Sequence, residues 1–233
     1  MNKIFIIAEC GHNANGNMRL NKLMIEEAKL CGADAVKFQL YDADTFKKPW
    51  QARYFELKLS ELNKEELIEL KEHADKVGIE FMASAFDVER VGWLEEIGVK
   101  RHKLASRSIH NTELIKAMER TKKPIIASLG WWNDIVAPKI KNAQFLYCVA
   151  EYPAHILANQ FPAEFGEDFQ GFSDHTIGCY WAREAVKRGA TIIEKHFTLS
   201  TDLPGYDQKG SVNPTELHDF VQYVRQLERG IVY

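Results

Sequence analysis

The sequence predicts a single (β/α)8 barrel over residues 1–233. Three observations carry that reading. Eight short apolar runs recur along the chain, amphipathic stretches of helical period separate most of them, and Gly32, Gly78, Gly98 and Gly189 stand where a helix must stop before a strand. Strands that alternate with helices pair in parallel, and eight such units close into a barrel. A chain of 233 residues, 45% of them hydrophobic, suffices for one sizeable core.

In chain order, Ile4–Ala8 is the first predicted strand and Leu20–Leu30 the first helix. Ala35–Phe38 is the second strand. The long connection Asp42–Asn63 follows it and is expected to be an active-site loop, ahead of the helix Lys64–Val77. In that helix Leu67, Leu70, Ala74 and Val77 fall on one face. Ile79–Met82, the helix Val88–Ile97, Arg101–Ala105 and the helix Asn111–Arg120 come next. Pro124–Ser128 and Gln144–Val149 are the fifth and sixth strands, and the segments Trp131–Lys141 and Pro153–Asp168 give the weakest helical patterns. Phe169–Phe172, the helix Gly178–Arg188 and Thr191–Glu194 complete the barrel. Asn213-Pro214 reads as an N-cap with proline at the first position of a final helix, Pro214–Arg229.

A net charge of −3, with no basic surplus, argues against nucleic acid as a partner. No apolar run approaches the roughly 20 residues that span a membrane, and the start MNKIFIIAEC is too short for a signal peptide. The four cysteines lack CxxC spacing, so free thiols in a reducing cytoplasm are expected.

In a barrel of this kind the chemistry lies at the carboxyl ends of the strands. Two histidines, His175 and His196, close the seventh and eighth apolar segments 21 residues apart, which places both on one rim. A lone histidine there would cap its strand; a matched pair flanked by carboxylates suits a divalent metal. The remaining strand ends supply Glu9, Lys37, Gln39, Ser84, Lys103, Ser106, Ser128, Tyr152 and Ser173, with Asp207 in the loop after the eighth strand. Two lysines and several hydroxyls suit a small, highly charged anion. Lys37 and Lys103 stand in apolar context, where an outward-facing ammonium would be costly. Glu9 and Asp207 are candidates for moving protons or holding hydroxyls.

Four segments resemble the sialic acid synthases: Ile7–Gly16, Gly32–Gln39, Gly171–Gly178, and Glu194–Leu199 followed by Leu203–Asp207. The resemblance implies a (β/α)8 barrel that condenses phosphoenolpyruvate with an open-chain aldose such as N-acetylmannosamine. The products would be a 2-keto-3-deoxy sugar acid and phosphate, and Mn2+ or Mg2+ would be needed. It implies His175 and His196 as metal ligands and Glu9 as the catalytic carboxylate. Lys37, Ser84, Lys103, Ser106, Ser128 and Ser173 would contact phosphoenolpyruvate, and Gln39, Tyr152 and Asp207 would hold the sugar. A homodimer is implied as well.

The chain departs from the family pattern at four places. Ala14 stands where a histidine is usual, Ser108, preceded by Arg107, stands where an acid is usual, and Ala150 replaces a polar residue. The chain stops at Tyr233, where typical members continue into a C-terminal antifreeze-like domain. All four touch the sugar side, so an altered acceptor, phosphorylated or acidic, is one alternative. A non-catalytic barrel serving as a binding or assembly subunit is another, and a separate chain is a conceivable source of the missing domain. Arg107 reads either as a new sugar contact or as a solvent-facing side chain.

Overall fold

The computed structural model describes residues 3–134 and 136–231. Its eight strands are β1 (Phe5–Gly11), β2 (Ala35–Leu40), β3 (Glu80–Ala85), β4 (His102–Leu104), β5 (Ile125–Ser128), β6 (Ala143–Cys148), β7 (Gly171–Asp174) and β8 (Ile192–His196). They pair in parallel and close in sequence order, β8 returning to β1. Around them lie α1 (Met18–Leu30), α2 (Ala43–Phe46), α3 (Tyr54–Ser60), α4 (Lys64–Val77), α5 (Val88–Glu96), α6 (Thr112–Arg120), α7 (Tyr180–Lys187) and α8 (Pro214–Glu228). The predicted barrel is therefore the observed one.

Local chemistry explains the element ends. Asn63 and Asn213 form capping boxes with Glu66 and Glu216 at the starts of α4 and α8. Gly78 ends α4 in the left-handed region at φ 79°. Among the described residues no helix follows β5 or β6. Pro138, Pro153 and Pro162 interrupt those connections and remove helix donors. Aromatic packing covers the wall there instead: the Phe161 ring lies 5.2 Å from Phe172 and 4.7 Å from Trp181. The long connection after β2 is not plain loop, since it holds α2 and α3.

Three strands run further than their apolar runs suggest. β1 continues to Gly11, β7 to Asp174 and β8 to His196. The ladder persists while the inward side chains turn polar. Ile7, Ala35, Met82, Ile126, Leu146 and Ile192 form a buried apolar plug inside the barrel. Two residues further along the same strands, on the same face, stand Glu9, Lys37, Ser84, Ser128, Cys148 and Glu194. Gly171 completes the plug, because a Cβ there would lie 2.1 Å from the Ile192 carbonyl oxygen. The plug gives the polar layer above it a dry floor. None of the described helices is long and apolar enough to cross a membrane.

Candidate active site

All twelve residues singled out at strand ends line one cavity of about 490 Å³ at the carboxyl face of the barrel. Its floor is a buried network of charges. Lys37 Nζ lies 2.7 Å from Glu9 Oε2, 3.0 Å from Ser84 Oγ and 3.8 Å from Glu194 Oε2. Lys103 Nζ lies 2.8 Å from Ser128 Oγ and 3.6 Å from Glu194 Oε1. Ser173 Oγ donates to Glu194 at 3.1 Å, and Gln39 Nε2 donates to Glu9 at 2.8 Å. Ser106 Oγ accepts the Gly130 N–H at 3.0 Å.

Burial drives the two carboxylates apart in acidity. It raises the Glu9 carboxyl above its ordinary range against the pull of Lys37, and the Glu194 charge adds to the rise. Burial also opposes charge on Glu194, but Lys103 and Lys37 together outweigh it and hold that carboxyl low. Burial likewise opposes charge on both lysines. Glu194 and Glu9 more than restore it on Lys37, whereas Lys103 stays below the usual lysine range. Two carboxyls of split acidity, one held ionised and one able to carry a proton, are a usual basis for acid–base work.

The register pairs Ser173 with Glu194 and Asp174 with Lys195, so His175 and His196 stand side by side, ring centroids 5.5 Å apart. Behind them the fully buried Lys195–Asp174 ion pair at 3.3 Å joins the two strand ends. Asp174 also accepts from Thr176, and Lys195 donates to the Thr176 carbonyl. His175 Nδ1–H donates to the Val149 carbonyl at 2.8 Å, which leaves Nε2 as an acceptor facing the cavity, where the Tyr152 hydroxyl donates at 3.0 Å. Burial depresses His196 to about 3, so its ring is neutral, and its buried Nδ1 has no hydrogen-bond partner. Two neutral imidazoles with a free lone pair fit a divalent ion that takes its other ligands from water or substrate. Among the described residues, no group of three histidines, cysteines or acids forms a closed metal cage. A metal on His175 Nε2 would require the Tyr152 hydroxyl to move aside.

Several lining residues were not assigned a role from the sequence. Glu194 is the shared counter-ion of both lysines. Cys148 faces inward, its Sγ 3.4 Å from Ser106 Oγ; the step of two from the plug residue Leu146 could have revealed it. His12, just past the end of β1, has Nδ1 3.4 Å from Asp207 Oδ2. The rim residues Phe46, Lys47, Arg53 and Tyr206 lie in loops, where no periodicity marks them. Arg53 bonds Glu56 at 3.1 Å and sits 3.8 Å over the Tyr206 ring, while the Tyr206 N–H donates to Glu56 at 3.1 Å. That set ties the loop after β2 to the loop after β8. Of the two positions departing after Lys103, Ser108 is buried outside the cavity lining, whereas Arg107 reaches the mouth.

Comparison with known proteins agrees with this site. A family profile described as NeuB family matches residues 24–231. An N,N'-diacetyllegionaminic acid synthase of Legionella pneumophila is 37% identical over 96% of this chain and 72% of its own length. The human N-acetylneuraminate-9-phosphate synthase is 32% identical over 97% of this chain and 71% of its own. A crystal structure of an N-acetylneuraminic acid synthetase from Leptospira borgpetersenii, in complex with citrate, superposes with a TM-score of 0.89 at 32% identity, covering 100% of this chain and 86% of that one. A truncated 3-deoxy-D-arabino-heptulosonate 7-phosphate synthase of Thermotoga maritima shares the fold at a TM-score of 0.70 and 15% identity. Matched along nearly its whole length, the chain belongs to the NeuB family and is a carbon–carbon bond-forming synthase of sugar acids.

Proposed function

We propose that the enzyme condenses phosphoenolpyruvate with an open-chain aldose to give a 2-keto-3-deoxy sugar acid and inorganic phosphate. One observation carries the reading: Lys37 and Lys103 are buried cations that share Glu194, while Glu9 is biased toward its protonated form. The floor thus has positive charge in reserve for a compact anion, and Ser84, Ser106, Ser128 and Ser173 surround it with hydroxyls.

Lys37 and Lys103 hold the anion and balance the charge that develops on the departing phosphate. Carbon 3 of phosphoenolpyruvate attacks the aldehyde carbon, forming the new bond and leaving cationic character at carbon 2. Glu9, as carboxylate, takes a proton from the water that adds at carbon 2. The tetrahedral adduct collapses to the ketone as its C–O bond to phosphate breaks. Gln39 fixes the Glu9 carboxyl, and Tyr152 and Asp207 face the sugar. His175 and His196 are the residues that would hold a Mn2+ or Mg2+ ion, which supplies Lewis acidity for an aldehyde oxygen.

The test is phosphate release from phosphoenolpyruvate across a panel of aldoses, with and without chelator. Acceptor-dependent release is expected. Tight phosphoenolpyruvate binding with no release for any aldose would favour a binding subunit instead. Metal binding has its own readout: paramagnetic resonance of added Mn2+ should show uptake by the parent and none by the His175→Ala, His196→Ala double variant.

A further inference from the structure

The cavity mouth holds cations that the reaction above does not use. Arg107 follows β4, in the short 3-10 turn Ser106–Ser108. Its guanidinium carbon lies 4.0 Å over the Phe46 ring and 5.9 Å from Phe86, and those two rings meet edge to face at 4.9 Å. Phe46 is thereby fixed, and Arg107 with it, its planar fork open to the cavity. Lys47, next to Phe46, lines the same mouth. No ion pair among the described residues includes Arg107 or Lys47. The other cavity cations are committed: Lys37 and Lys103 to Glu9 and Glu194, and Arg53 to Glu56.

Position adds a direction. In the closed order β1 to β8, β4 lies across the barrel from β8. The histidine pair, where the aldehyde would react, stands on β7 and β8, and Asp207, the rim carboxylate of the lining, follows β8. An open-chain sugar with its aldehyde at the histidines therefore runs its far end toward Arg107. We propose that Arg107, with Lys47 beside it, receives an oxyanion at the end of the acceptor remote from the aldehyde, a phosphate monoester or a carboxylate. This rests on the reading of the cavity as an aldose site. A guanidinium fork matches either group, and a second cation favours the dianion.

Unreactive open-chain probes test the assignment without turnover. Mannitol, mannitol 6-phosphate and mannonate are titrated calorimetrically into the whole chain, with phosphoenolpyruvate titrated separately. At least one anionic probe should bind 10-fold or more tighter than mannitol, and which one does so separates phosphate from carboxylate. Arg107→Leu should cut that preference to under threefold, Arg107→Lys should keep part of it, and Lys47→Leu should reduce it by a smaller factor. A preference that survives Arg107→Leu but vanishes in Lys103→Met would place the anion on the floor and overturn the proposal, as would equal or absent binding of all three probes. If phosphoenolpyruvate fails to bind while the Arg107-dependent preference persists, the reaction falls and this site stands. If phosphoenolpyruvate binds and Arg107→Leu changes nothing, this site falls alone.

Discussion

The floor of the cavity stands on strands and its rim on loops, and the two differ in how their charges are held. On the floor each lysine is buried and paired, and its position follows from the strand period above the apolar plug. On the rim, Arg107 and Tyr206 are solvent-exposed, and aromatic rings rather than carboxylates brace Arg107. A buried charge network tolerates little change, because losing one partner strands the other in a poor solvent. An exposed stacked cation can change at small cost to the fold. The floor is thus suited to the reactant common to a class of synthases, and the rim to whatever distinguishes one acceptor from another.

That contrast can be broken in several ways. Asp174→Asn leaves Lys195 fully buried without its carboxylate, and should cost roughly 3–5 kcal/mol in denaturant unfolding. A loss under about 1 kcal/mol would show that the two strand ends are not clamped by that pair. Lys103→Met should weaken phosphoenolpyruvate binding by roughly 2–5 kcal/mol, read by calorimetry. Arg107→Leu, on the rim, should shift folding stability by no more than about 0.5 kcal/mol. Gly16→Ala sharpens the division from the loop side. Gly16 has φ 75°, and a Cβ there would meet the Leu59 carbonyl oxygen at 2.0 Å, so α3 must move. The strain should cost roughly 1–3 kcal/mol. It should raise the KM for the aldose more than that for phosphoenolpyruvate, since α3 belongs to the rim.

The smallest effect concerns pH. Burial lowers the affinity of His12 for its proton, against the pull of Asp207. With the folded value depressed below the ordinary 6.5, the neutral ring contributes stability above that pH. The contribution is lost as pH falls through 6.5 toward the folded value. His12→Asn should therefore flatten the fall in Tm between pH 7.5 and 5.5. An unchanged slope would mean that His12 is solvated rather than enclosed.

Periodicity explains which parts were legible in the sequence. Strand and helix positions followed from apolar runs and helix-stop glycines. Lys37 and Lys103 stood out because ammonium groups in apolar runs must turn inward. The ends of β1, β7 and β8 were harder to read, since the ladder continues past the last apolar residue into Glu9, Asp174 and His196. Glu194 is the clearest omission: its position at a strand end was visible, but its tie to both lysines depends on closure of β8 against β1 and β7. The rim was illegible for another reason. Arg53, Tyr206 and Glu56 meet only because α3 and the loop after β8 fold over the same mouth.

The central claim is that the floor holds phosphoenolpyruvate while its C–O bond breaks during condensation. Phosphoenolpyruvate labelled with ¹⁸O at the bridging oxygen tests it directly, with the accepted aldose and by mass spectrometry of both products. The account predicts label in the phosphate, released only when the aldose is present and nearly abolished by Lys103→Met. Label retained in the sugar acid, or phosphate released at the same rate without an aldose, would contradict it.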